Sequence, residues 1–278
     1  MTLLRTLIIA ALQGATELFP VSSLGHAVIL PRLLGWQIDQ HAPEFLPFLV
    51  VLHVGTATAL LLYFWRTWLG FGRGVVARAP SAAAERRTFF LVCVATLPAV
   101  VIGFTLEHRL RAFFGAPTLA AVFLIVNGGL LFVGDRIRHS GHKSLDQIGW
   151  PTALVVGAAQ ALALIPGISR SGATMVGGLL AGLSYRDAAR FSFLMATPVI
   201  AGAGALEVPK LIRLLRSGGP VAIHASTAVA AGVVAGTVAW LSTYVLMRYF
   251  KDNDVEALNP FAVYCVVAGA VSLAILAA

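Results

Sequence analysis

Charge is what this chain has least of. Only 12% of its 278 residues are Asp, Glu, Lys or Arg, against about 25% in an ordinary soluble domain. Acids are scarcer than bases, 12 against 20. Cysteine is nearly absent: Cys93 and Cys265 both lie inside apolar runs and read as packing residues, which excludes a disulfide framework and a cysteine-rich metal site. Short alternating segments of the kind a membrane barrel needs are not the pattern either.

Long apolar runs fill the space that charge leaves. They fall near 48–65, 88–107, 117–134, 191–207, 222–247 and 259–277, and the mean hydropathy is +0.86. Each run approaches the roughly 20 residues a helix needs to cross a hydrocarbon core. The sequence therefore predicts an all-α integral membrane protein forming a single membrane domain over 1–278. The net charge of +8 is not a nucleic-acid signal, because the basic residues sit in short loops where they set orientation. Arg5 before an apolar core resembles a signal peptide, but Gln13, Glu17 and Pro20 fit that reading poorly, so the segment is expected in the mature protein.

Two stretches interrupt the apolar pattern. Gln13–His26 reads QGATELFPVSSLGH, and Pro166–Thr174 reads PGISRSGAT. Around the first, 3–19 has a helical pattern ending at Pro20, 21–25 is a polar turn, and 26–35 is an apolar piece too short to span. Around the second, an apolar helix over 152–165 reaches Pro166, a Gly/Ser turn follows, and a short apolar helix covers 173–183. Charge counting orients the rest. The loop at 66–87 carries Arg66, Arg73, Arg78, Arg86 and Arg87 against Glu85 alone, so it is expected in the cytoplasm. The loop at 135–148, with Arg136, Arg138 and Lys143, joins it, as do Arg186, Arg190, Arg248 and Lys251, while 108–116 and 208–220 fall outside. Lys210, Arg213 and Arg216 in that last loop weaken the rule locally. This parity holds only if 150–184 enters and leaves on one side.

Each interrupted stretch is thus a re-entrant helix-turn-helix followed by three spans. Three is odd, so the second half (about 147–278) sits inverted relative to the first (about 1–140), the arrangement in which broken helices build a site near the midplane. Gln13 with Pro20 and Gln160 with Pro166 echo one another. From Arg5 to Glu17 is roughly 18 Å of helix, which reaches the middle of a ~30 Å core. The two turns are therefore expected to touch. The pairs Gly178/Gly182 and Gly232/Gly236 suggest close helix contact, and Pro98 and Pro198 fall inside spans.

The chemistry concentrates at the turns. A carboxylate at the midplane, Glu17, costs on the order of 2.5–3.5 kcal/mol and persists only if paired, metal-bound or wetted; a helix–helix hydrogen bond is the plain alternative. Gln13, four residues earlier, shares its face, and together they offer oxygens to a divalent cation, Mg²⁺ or Ca²⁺. Arg170 needs an anion: Glu17 in a salt bridge, or a diphosphate gripped bidentately. Ser22, Ser23, Ser169 and Ser171 suit helix N-caps, and the free N–H groups of those helix starts suit phosphate. His26, three residues after Ser23, makes a Ser/His pair of the kind an activated nucleophile requires. His53 and Asp135 read as ordinary packing residues.

At these residues the chain resembles the undecaprenyl-diphosphatase family, also called the bacitracin-resistance protein family. The family's (E/Q)xxxE run leading into PVSSxGH stands here as Gln13 to His26, and PGxSRSGxT as Pro166 to Thr174; FSFLMATP at 191–198 is also similar. The resemblance covers essentially the whole chain. It implies an inner-membrane phosphatase converting undecaprenyl diphosphate to the monophosphate carrier of cell-wall precursors, with a divalent-metal requirement and a site opening to the periplasmic side. By motif, Gln13 and Glu17 are the metal and phosphate pair, Ser23 and His26 the nucleophile and acid/base candidates, and Arg170 the diphosphate ligand. Ser22, Ser169, Ser171 and Thr174 complete the expected substrate contacts. Gln13 stands where many members have Glu, one anionic ligand fewer. Expected partners are the polyprenyl diphosphate lipid and the bilayer, with a homodimer admitted and nucleic acid excluded. The competing class is a phosphate-lipid flippase or anion transporter, which would need Arg170 and the helix ends but no nucleophile.

Overall fold

The computed structural model describes residues 2–277 except 37, 39, 41, 43–44, 78–79, 107–114, 138–142, 217–223 and 254. Arg78 and Arg138, two of the cations counted for orientation, and most of the expected outer piece at 108–116 lie outside the described residues. The described residues form eleven α-helices and no sheet: α1 Leu3–Thr16, α2 Ser23–Leu33, α3 Phe45–Tyr63, α4 Trp65–Ala77, α5 Ala83–Thr105, α6 Pro117–Ile137, α7 Trp150–Ala161, α8 Arg170–Leu180, α9 Tyr185–Arg216, α10 Ala225–Asp252 and α11 Asn259–Ala277.

Six of these (α3, α5, α6, α9, α10 and α11) are long and apolar enough to cross a membrane, and they coincide with the six expected runs. Their outer faces keep Phe104, Val229, Val233 and Val263 more than half exposed. Such a surface is stable against lipid and unfavourable against water. α4 lies inside what the sequence reads as a loop at 66–87. It forms because its apolar residues are spaced to one face: Phe71 and Gly74 are buried, while Arg66 and Arg73 stay out.

Two short hairpins, α1–α2 and α7–α8, sit among the spans. Each returns to the end it started from. The Arg5 guanidinium lies 5.5 Å over the Trp36 ring, beyond the exit of α2. Lys143 N–H, ahead of α7, donates to Gly182 O at 3.0 Å, and Ser184 N–H donates to Lys143 O at 3.4 Å. Both hairpin helices begin three residues earlier than the apolar pattern predicts. The reason is capping: Ser22 Oγ accepts from Gly25 N–H at 3.2 Å and Ser169 Oγ from Gly172 N–H at 3.1 Å, so the polar motif residues themselves form the first turns. α7 ends at Ala161 in a tighter turn over Leu162–Leu164 rather than running to 165.

Packing crosses between the halves. α1 lies against α10, and α7 against α5; α3 lies against α9 and α10, and α6 against α11. A Cβ on Gly14 would come within 2.4 Å of Ala235 O, and one on Gly157 within 2.3 Å of Ala95 O. Both hairpins therefore rest backbone to backbone on a span of the other half, a distance only glycine permits. Of the two expected glycine pairs, Gly232/Gly236 does pack this way, against Gly55. Gly182 instead lies outside its helix with φ +91°, where it closes the hairpin. Pro98 and Pro198 are inside α5 and α9 as expected.

The basic loops share one face. Both terminal nitrogens of Arg87 donate to Asp146 O and Ile148 O at 2.5 Å. Tyr63, Arg186, Arg190, Arg248 and Lys251 line one cavity. Asp135, read from the sequence as incidental, accepts from Tyr185 Oη and from Leu258 N–H at 3.3 Å, which ties α6 to the starts of α9 and α11.

Candidate active site

The tips of the two hairpins meet. Ser171 Oγ donates to Phe19 O at 3.0 Å, and a Cβ on Gly25 would lie 3.1 Å from Gly167 Cα. Gly167 holds φ +104° with its own α-hydrogen turned at Ala120 O, a conformation and a space that a side chain could not share. Asn127, from α6, fastens both tips. Its Nδ2 donates to Pro20 O at 2.9 Å, and its Oδ1 accepts from Ser169 N–H at 2.9 Å. The same Nδ2 reaches the Cys265 sulfur at 3.3 Å.

Glu17 lies at the centre, 6% exposed. Its Oε1 accepts from Arg170 Nη2 at 3.1 Å. Its Oε2 accepts from Ser23 Oγ at 2.7 Å and from Gln13 Nε2 at 2.8 Å, and His53 Nε2 stands 3.3 Å away. One carboxylate thus gathers a hydroxyl, an amide, an imidazole and a guanidinium. Burial makes each of these contacts stronger than it would be in water. Arg170 is held from its other side, where Nη1 donates to Ser192 O at 3.1 Å. The contact between Glu17 and Arg170 joins two residues 153 positions apart, one from each hairpin tip.

A cavity of about 240 Å³ opens on this cluster. Glu17, Ser22, Ser23, His53, Ser169 and Arg170 form its polar end. Leu46, Leu49, Leu164, Ile168, Val199 and Ile200 form the apolar remainder. Gln160 also faces it, 2% exposed, with neither amide atom hydrogen-bonded. A buried amide without partners is costly unless a ligand or water completes it.

Not every expected residue reaches the cavity. Ser171 and Thr174 are fully buried and engaged elsewhere. Ser171 bonds Phe19 O and Ser169 Oγ (3.0 Å), and Thr174 Oγ1 donates to Ser192 Oγ at 2.7 Å. His26 does not meet Ser23. Its Nδ1 is 2.7 Å from Ser22 O, its Nε2 is 2.8 Å from Tyr264 Oη, and its ring stacks on Tyr264 at 5.7 Å. Ser22, which bonds both Gly25 and His26, sits at φ +66°, a left-handed conformation costing about 1–3 kcal/mol for a non-glycine residue. Three residues of the cluster escaped the sequence reading: His53, Asn127 and, as more than an echo of Gln13, Gln160. The signal for His53 was the same as for Glu17, an ionisable group in the middle of an apolar span.

For a cation, the donor set is thin but of the right kind. Gln13 Oε1 is buried and has no hydrogen-bond partner, and the Glu17 carboxylate is adjacent. One carboxylate and one free amide oxygen suit a hard ion that draws its other ligands from water and phosphate. Among the described residues no group of three or more His, Cys, Asp or Glu could hold a metal by itself.

Comparison with known proteins gives a consistent picture. The profile of the family described as bacitracin resistance protein BacA matches residues 6–271. The undecaprenyl-diphosphatase of Granulibacter bethesdensis is 52% identical over 289 aligned positions, covering 99% of this chain and 97% of that protein. That of Acidiphilium cryptum is 53% identical, covering 98% of each chain. That of Gluconobacter oxydans is 49% identical, covering 97% of each.

Proposed function

This chain belongs to the bacitracin resistance protein BacA family, and on that footing we propose that it hydrolyses undecaprenyl diphosphate to undecaprenyl phosphate and inorganic phosphate. The product is the lipid carrier for cell-wall precursors, and its recycling underlies bacitracin resistance. The observation that carries the reading is the Ser23–Glu17–Arg170 chain of contacts, 2.7 and 3.1 Å, at the polar end of an otherwise apolar cavity. It combines a hydroxyl with its proton acceptor, a fixed guanidinium for phosphate, and a wall suited to a prenyl chain.

In the preferred sequence of events the diphosphate displaces water from the polar end of the cavity. Arg170 and the N–H groups at the start of α8 receive the terminal phosphoryl oxygens. Ser23 Oγ attacks the terminal phosphorus and passes its proton to Glu17; the bond to the bridging oxygen breaks, and Glu17 hands that proton to the departing undecaprenyl phosphate. Water then attacks the phosphoserine and gives a proton to Glu17, which returns it to Ser23 Oγ as the serine–phosphorus bond breaks and inorganic phosphate departs. His53, hydrogen-bonded to the same carboxylate oxygen, is the group placed to share the proton that Glu17 gains. His26 holds the first turn of α2 through Ser22 and Tyr264. Gln160 offers its free amide to the phosphoryl group. The Gln13 Oε1 and the Glu17 carboxylate would hold a divalent cation, Mg²⁺ or Ca²⁺. Such an ion, when bound, supplies Lewis-acid neutralisation of the diphosphate.

Two re-entrant hairpins in an inverted repeat are part of the same proposal. The return of each hairpin to its own starting end supports it. So does the exchange of partners between halves, α1 on α10 answered by α7 on α5, with Gly14 and Gly157 in matching contacts. The clustering of the basic loops supports a cytoplasmic face there and a substrate entrance on the periplasmic side of the inner membrane. A homodimer is compatible with this arrangement.

The test is phosphate release from farnesyl or undecaprenyl diphosphate by purified protein in detergent, with and without EDTA. Release there establishes catalysis without a second compartment, which a flippase or transporter would require. Loss of release with EDTA, restored by Mg²⁺ or Ca²⁺, supports the cation; a chelator-resistant rate overturns it. Rapid-quench trapping should give an acid-stable phosphoserine, and an acid-labile phosphohistidine would refute Ser23 as nucleophile.

A further inference from the structure

A second lipid-shaped site lies along the seam between α3 and α10, away from the catalytic cavity. Its lower part is an apolar groove of about 700 Å³, lined by residues that run from Val51 to Leu62 on α3 and from Val229 to Leu241 on α10. The groove exists because the two helices approach with no side chains between them: a Cβ on Gly55 would lie 2.1 Å from Gly232 O. From Val51 to Leu62 is roughly 16 Å of helix, about the depth of one leaflet of a ~30 Å core.

Directly beyond the groove, between the ends of the same two helices and the start of α9, is a basic cavity of about 650 Å³. Arg186, Arg190, Arg248 and Lys251 line it, with Asp252 as the single acid. Among the described residues Asp252 reaches only Arg248, at 3.9 Å and largely exposed. Arg190 donates to Thr67 Oγ1 at 3.3 Å, and among the described residues Arg186 and Lys251 have no acidic partner. Aromatic rings mark the boundary between the two parts. Trp240, in the groove, packs on Tyr63 at 6.2 Å and stacks on Tyr244 at 6.4 Å, both in the basic cavity. Aromatic side chains of this kind collect at headgroup level.

We infer that this seam binds an anionic diacyl phospholipid. The phosphate sits among Arg186, Arg190, Arg248 and Lys251, and an acyl chain lies in the α3/α10 groove. Positive loops alone would attract anionic lipid diffusely; what distinguishes this place is a cation cluster closing the mouth of a groove one leaflet deep. Basic pockets between spans are a recurring form of headgroup site, and guanidinium groups pair with phosphate in a fixed geometry. None of these side chains lines the catalytic cavity.

Native mass spectrometry of the detergent-purified protein tests this, with dioleoyl phosphatidylglycerol and dioleoyl phosphatidylcholine added in equal amounts. Phosphatidylglycerol should be retained in preference. The double variant Arg186→Gln/Lys251→Gln should lose that preference by roughly thirtyfold, the worth of two basic side chains at an anionic surface. Val233→Trp, which fills the groove from its lipid side, should reduce retention of both lipids. Phosphate release from farnesyl diphosphate should stay at the wild-type rate in both variants, which also shows that they fold. Equal retention of the two lipids, or a preference unchanged in the double variant, overturns the assignment. Displacement by farnesyl phosphate at equal concentration would make this a prenyl-phosphate site instead, and dimers dispersed by Val233→Trp would make it a self-association face.

Discussion

Asn127 offers the sharpest test of how the site is held together. Substituting leucine keeps the branched shape of a residue that is fully buried, at a somewhat larger volume, but removes both hydrogen bonds to the hairpin tips. Ser169 N–H then loses its one acceptor among the described residues, at a cost of about 1–3 kcal/mol for a buried donor left unmade. Pro20 O suffers less, because the Cys265 thiol remains 3.8 Å away. The two together come to about 2–4 kcal/mol of stability. The effect on rate should be larger than that loss suggests. Ser169 is the residue before Arg170, and the two tips meet through few other contacts, so Arg170 should shift relative to Glu17. A misplacement of about 1 Å in a reacting constellation is worth on the order of a hundredfold. Thermal unfolding in detergent, followed by tryptophan fluorescence, reads the first quantity. Phosphate release from farnesyl diphosphate, measured well below the unfolding temperature, reads the second. An Asn127→Leu protein that melts with the wild type and works within about twofold of its rate would refute the idea that this side chain sets the register of the tips.

Other outcomes follow from the same geometry. Glu17→Ala and Arg170→Ala should each remove nearly all phosphate release while leaving a folded protein by size-exclusion chromatography; full activity in either would sink the site. Arg170→Lys should restore little, since an ammonium cannot span Glu17 Oε1 and Ser192 O as the guanidinium does, so a rescue near the wild-type rate would argue against a bidentate role. His53→Gln should lower kcat by roughly ten- to a hundredfold, the scale of one hydrogen bond to a buried charge, with a smaller change in KM; an unchanged kcat would return His53 to a packing role. A cysteine placed at Ser81 should react with impermeant thiol reagents only from the cytoplasmic side, and labelling from the periplasm would invert the orientation.

Much of this architecture is legible in the chain itself, for a physical reason. In a bilayer, backbone groups must be satisfied within the segment, so a span announces itself by length and hydropathy alone. The six spans and the contact of the two tips follow from those runs and from the parity of basic loops. The same logic singled out Glu17 and Arg170, whose cost in lipid demands a partner. Boundaries were harder to read. Ser23 and Arg170 look like loop residues by hydropathy, and only the caps at Ser22 and Ser169 reveal that helix has already begun. α4 hid in a basic loop because its apolar face is narrow. His53 and Asn127 were missed for opposite reasons. His53 carries a usable signal, an ionisable group inside an apolar span, whereas Asn127 is one amide in an apolar helix, and nothing local says that it faces two turns at once. Nearness of Ser23 and His26 in sequence does not make them partners here: the Ser23 hydroxyl is taken by Glu17, and both His26 nitrogens by Ser22 O and Tyr264 Oη.

The crossed seating of the hairpins constrains how the protein can be made. α1 finds its backbone contact at Ala235, more than two hundred residues later in the chain. During synthesis the first hairpin must therefore wait in the membrane, with Glu17 lacking its guanidinium, until the ribosome has delivered α8 and α10. Neither half is a self-sufficient module, and a chain interrupted before α10 has nowhere to lodge its first acidic turn.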